Sequence, residues 1–113
     1  MENKDSTRDP HKAVDYIIQN AAKFAKAKAE RTYIEHYRKS LKAMLMKRSM
    51  ETAIGAQERE AYAHPDMLEL IKGLQVAVEI EEKLKWDITA AELRVDIWRT
   101  EQANHRSEGK MTL

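Results

Sequence analysis

Residues 65–98 read PDMLELIKGLQVAVEIEEKLKWDITAAELRVDIW, and this stretch decides the fold. Leu74, Ala77, Leu84, Ile88, Ala91, Val95 and Trp98 fall close to a 3.5-residue repeat. That spacing lets a helix lay a continuous apolar seam against a partner helix. Glu81 is the one polar intruder on the seam. Pro65 suits the first position of a helix, and Asp66 and Glu69 complement the positive end of its dipole. Gly73 lowers the local propensity without breaking the pattern. The spacing predicts a helix over about 65–105.

Upstream of this stretch a second long helix is expected over about 11–52. Asp9 can cap its free N–H groups and Pro10 fits its first turn. Ile17, Phe24, Ile34, Leu41 and Leu45 recur at helical spacing, as do Val14, Ile18, Ala21, Ala25, Tyr37 and Met44. No Gly or Pro occurs between Lys12 and Gly55, and Gly55 is the expected stop, in a left-handed conformation. Residues 53–64 then form the connection, with a short turn of helix inside it. Residues 1–9 and 106–113 read as frayed tails of a single 113-residue domain.

Two helices of similar length joined by a short connection favour an antiparallel hairpin. Charge agrees. Residues 23–48 hold nine Lys/Arg against two Asp/Glu, whereas 57–82 hold two against seven, and folding back at 53–64 sets these stretches side by side. The predicted fold is therefore all-α: a long antiparallel two-helix hairpin. Glu81 should face Ile34 or Tyr37, within reach of Arg38. Val76, Ile80, Leu93 and Ile97 do not fit the seam and leave a surplus apolar surface. By the symmetry common to small helical proteins, that surplus predicts a homodimer, as a four-helix bundle or a coiled-coil-like pair.

The chain has no cysteine, which excludes disulfides, thiolate metal sites and cysteine nucleophiles and fits a cytoplasmic location. No apolar run approaches the roughly 18 residues needed to span a bilayer. Glu79, Glu82, Glu92 and Asp96 resemble the Mg²⁺-binding carboxylates of all-α nucleotide pyrophosphohydrolases, but here the second motif spaces its acids four apart where that family has three. Glu-rich helix surfaces are common, and a solvated acidic face is the preferred reading of them. The four histidines lack metalloenzyme spacing, the serines lack a nucleophile elbow, and no Gly-rich phosphate loop occurs. No cofactor, metal site or catalytic residue is predicted.

The basic part of the first helix carries more promise. Lys28, Arg31, Arg38, Lys39, Lys42 and Lys47 interleave with Tyr33 and Tyr37. Cations neutralise phosphates, and aromatic rings stack on unpaired bases. The competing structural reading pairs these cations with the acidic helix and puts the tyrosines in the seam. Trp86 and Trp98 read as core or partner-contact residues.

Three segments together resemble a family of small helical proteins encoded by tailed bacteriophages near recombination and replication genes: AKAERTYIEHYRKSLKA at 27–43, AQEREAYAHP at 56–65 and IWRTEQANHR at 97–106. The resemblance spans about residues 25–106. It brings no catalytic residues; its motif positions Arg31, Tyr33, Arg38, Lys39, Glu58, Arg59, Tyr62, Trp98, Arg99 and Arg106 are implied to serve interaction. The resulting expectation is a non-enzymatic phage accessory protein in early DNA metabolism. It would bind a recombination or replication protein in the cytoplasm of an infected cell and contact single-stranded DNA weakly. Contacts are expected at Lys28, Arg31, Tyr33, Arg38, Lys39, Lys42, Lys47, Trp98 and Arg99. One alternative is an inhibitor that docks on a host defence protein or nuclease; another is a metal-dependent nucleotide hydrolase.

Overall fold

Asp9 and Pro10 open the first helix as their chemistry dictates. The Asp9 carboxylate accepts the His11 N–H at 2.9 Å, and the Asp9 carbonyl accepts the Ala13 N–H at 3.2 Å. The computed structural model describes residues 9–112. It holds three helices: α1 (Pro10–Arg48), α2 (Ile54–Ala63) and α3 (Pro65–Thr112). The fold is an all-α hairpin, with the short α2 set in the connection. None of the helices described is long and apolar enough to cross a membrane. Of the tail expected at 1–9, residues 1–8 lie outside the described residues, as does Leu113.

Three boundaries differ from expectation. α1 ends at Arg48, where Lys47 and Arg48 complement the negative end of the dipole. Gly55 is not the stop; it lies inside α2, and no described glycine has a positive φ. The reversal at 49–53 is held by side chains instead. Ser49 Oγ accepts the Glu51 N–H at 3.1 Å and donates to Glu60 at 2.6 Å, while the Gln57 amide donates to the Glu51 carbonyl at 2.9 Å. With the free backbone groups met this way, the turn needs no left-handed residue. At the other end α3 does not fray at 106 but continues to Thr112. No proline interrupts it, and Gly109 costs only propensity.

Between α2 and α3 a single residue makes the corner. His64 is extended, as a residue before proline must be. It then caps α3: its Nδ1 accepts the Asp66 N–H at 3.0 Å and its carbonyl accepts the Leu68 N–H at 3.1 Å.

Within the length read as one domain the chain divides into two compact units, residues 25–82 and the remainder, with α1 and α3 each running uninterrupted through both. Along α3 the inward positions are Met67, Leu70, Leu74, Ala77, Glu81, Leu84, Ile88, Ala91 and Val95, a strict alternation of three and four residues. α1 answers with Ala13, Ile17, Asn20, Phe24, Ala27, Arg31, Ile34, Leu41 and Leu45. Of the α1 residues singled out by periodicity, Val14, Ile18, Ala21, Ala25, Tyr37 and Met44 are exposed instead.

In the 25–82 unit the core gathers all three helices. Leu41 and Leu45 of α1, Ala61 of α2 and Met67 of α3 are buried together, with Met46 and Leu70 packed against them. Met67 has no exposed surface. In the other unit the buried apolar residues among those described are the small Ala13 and Ala91. There Lys83 donates to Asp87 at 2.7 Å. This bond, with a lesser one from the Tyr16 hydroxyl, holds the Asp87 carboxyl below the usual aspartate range.

Candidate nucleic-acid interface

The basic residues of α1 divide into those the fold consumes and those it leaves outward. Arg31 is consumed. Its guanidinium grips the Glu81 carboxylate with two donors, Nε to one oxygen and Nη2 to the other at 3.0 Å, and Nη1 reaches Glu35 at 3.0 Å. The Glu81 bond, reinforced by both carboxylate charges, raises the Arg31 pKa. The polar intruder on the α3 seam thus has a partner, and that partner is Arg31 rather than Arg38. Arginine suits the position because its planar fork satisfies both oxygens of a nearly buried carboxylate.

Lys42 is also engaged. Its ammonium lies 5.0 Å from the centre of the Tyr62 ring and 3.5 Å from Glu58, tying α1 to α2. Hydrogen bonding to the Tyr62 hydroxyl, with the Glu58 carboxylate adding to it, raises the Lys42 pKa and keeps it charged.

Arg38 and Lys39 remain exposed. With Glu35, His36, Lys42, Tyr62 and Leu74 they line a cleft of about 690 Å³. Three cations against one carboxylate make this cleft electropositive, with a tyrosine in its wall.

Tyr33 and Tyr37 do not join it. At about 100° per residue they fall roughly 100–180° around the helix from Arg38 and Lys42. They stack on each other, with centroids 6.0 Å apart and planes at 17°, and Tyr33 is 64% exposed. Tyr37 lines a separate groove with Ile34, Leu41, Leu70, Gly73 and the acidic Asp66 and Glu69. The interleaving of bases and tyrosines along the sequence is therefore undone by helical geometry. The aromatic that does meet the cations is Tyr62 of α2, a position implied by the family resemblance but not by the basic run. Its spacing from Glu58, one helical turn, is the signal that both reach the same lysine.

Lys28 and Lys47 are exposed but line neither cleft. Trp98 and Arg99 belong to the other unit. Trp98 continues the α3 seam at 39% exposure, and Arg99 lines a shallow cleft with Val14, Ile17, Glu92, Val95 and Asp96. Glu79, Glu82 and Glu92 are exposed, and among the described residues no group of three or more His, Asp or Glu is placed to hold a metal ion. His64, four residues from Glu60, serves as the cap of α3. No family model matches the sequence, and no curated protein or solved structure matches it.

Proposed function

We propose that this chain is a non-enzymatic accessory protein of early phage DNA metabolism. It acts in the cytoplasm of the host cell by docking on a recombination or replication protein, with weak contact to single-stranded DNA at the α1–α2 cleft. The observation that carries the reading is one cleft lined by Arg38, Lys39, Lys42 and Tyr62. Such a cleft offers a backbone phosphate two outward cations and offers an unpaired base a ring edge. The phage setting rests on the resemblance of the three segments quoted above.

The test is fluorescence anisotropy of a labelled single-stranded oligonucleotide at low and physiological salt. Arg38→Ala with Lys39→Ala removes the two outward cations and leaves the Lys42 tie in place. Each lost phosphate contact lowers the slope of log affinity against log salt by about 0.7. Unchanged affinity and slope in this double variant, with helicity intact, defeats the DNA-contact reading.

A second reading draws on the opposite face. The exposed Tyr33–Tyr37 stack beside an acid-rimmed apolar groove suits a protein partner, as in an inhibitor that docks on a host defence protein or nuclease. DNA binding that is absent at low salt, with capture of a protein lost in Tyr33→Ala, favours it.

A further inference from the structure

Away from the seam, α3 carries a second apolar stripe. Trp86, Ala90, Leu93 and Ile97 are spaced by four, three and four residues, so they lie along one line on the outer side of the helix. Trp86 is 62% exposed, Leu93 55% and Ile97 58%. A contiguous exposed apolar stripe of this kind marks a contact surface. All four residues belong to the unit outside 25–82, whereas the basic cleft is lined from within 25–82.

The stripe is complementary to itself in one orientation. Set antiparallel to a second copy about a two-fold axis near its middle, bulky Trp86 meets the partner's Ile97, and small Ala90 meets the partner's Leu93. Sliding this pairing by one heptad sets Trp86 against Asn104 in one direction and Leu93 against Lys83 in the other. The flanking charges choose the same arrangement. Antiparallel pairing brings Asp87, whose carboxylate also accepts from Lys83, beside the partner's Arg94 twice, once on each side of the axis. Parallel pairing instead opposes Glu82 to the partner's Asp87 and Asp96 to the partner's Glu101, like charges in both cases.

We infer that the Trp86–Ile97 face of α3 is where two copies of this chain pair, antiparallel, with Asp87 and Arg94 fixing the register. The stripe is short, so the pairing is concentration-dependent.

The experiment is sedimentation equilibrium of the full chain over a range of concentrations, with helicity followed by circular dichroism. The wild type rises from monomer to dimer mass. Leu93→Glu, at an exposed position, stays monomeric with unchanged helicity. Arg94→Asp alone weakens the dimer at least tenfold, as does Asp87→Arg, and the two together restore it. A Trp86→Cys, Ile97→Cys variant of this cysteine-free chain, oxidised, yields a disulfide between position 86 of one copy and 97 of the other. A wild type monomeric up to its solubility limit overturns the inference and assigns the stripe to a different protein. So does a dimer indifferent to Leu93→Glu, or cross-links joining 86 to 86.

Discussion

Replacing Met67 by alanine tests the account of the core most directly. Met67 is fully buried where Leu41, Leu45 and Ala61 of the other two helices converge. Burying such a side chain is worth about 1.5–3 kcal/mol from transfer alone. The hole left in a close-packed core adds to this, and methionine-to-alanine changes at such sites cost about 2–5 kcal/mol in all. The neighbours here are anchored on three separate helices and cannot all collapse inward, so a loss of about 3 kcal/mol is expected. For a chain of this size that is a fall of roughly 10–20 °C in melting temperature. Urea titration followed by circular dichroism should show the midpoint falling with the slope unchanged. Leu68→Ala is the control: the neighbouring side chain is 51% exposed, and its removal should cost less than about 1 kcal/mol. A Met67→Ala protein as stable as the control would refute the three-helix core.

Gly73 sits inside α3 with ordinary helical backbone, and a Cβ there meets nothing within 4 Å, so Gly73→Ala should stabilise by about 0.5–1 kcal/mol in the same urea assay. Arg31→Leu should destabilise by stranding the nearly buried Glu81, whereas adding Glu81→Leu should recover the loss; equal stability of wild type and single variant would remove the pair from the account. Because the folded-state pKa of Asp87 is depressed, its contribution is present above the ordinary aspartate value and disappears as pH falls through the depressed one. In Lys83→Gln the Asp87 carboxyl should titrate closer to the usual range by NMR, and no change would exclude Lys83 as the cause.

The α3 seam could be read from the sequence because every position from Leu74 to Val95 obeys one period, and its single violation, Glu81, is itself a buried residue. α1 was harder to read because two of its seam positions, Asn20 and Arg31, are polar. Their neighbours Ile18 and Tyr37 look more apolar yet face water. Nothing local distinguishes Arg31 from Arg38; only the fit of a guanidinium to Glu81 across the hairpin does. Gly55 misled for the opposite reason: a strong local signal was made unnecessary by Ser49 and Gln57. At the cleft, Arg38, Lys39 and Lys42 follow from the basic run, whereas Tyr62 comes from another helix and enters only through folding. The tyrosines of α1 show the limit of reading by proximity, since residues close in sequence were separated by the turn of the helix.

The Arg31–Glu81 clasp also bears on how the hairpin finds its alignment. A seam of interchangeable apolar layers, slid by one heptad, still covers hydrocarbon with hydrocarbon, so collapse by itself does not sort aligned hairpins from slipped ones. Slipping either way strands the Arg31 guanidinium against an aliphatic side chain, Leu74 or Ile88, and that mismatch drives slipped hairpins to separate and try again. The native chain should therefore refold in one exponential phase. The variant with leucine at both positions, for all its stability, should acquire a slow phase from hairpins that slipped and had nothing to correct them.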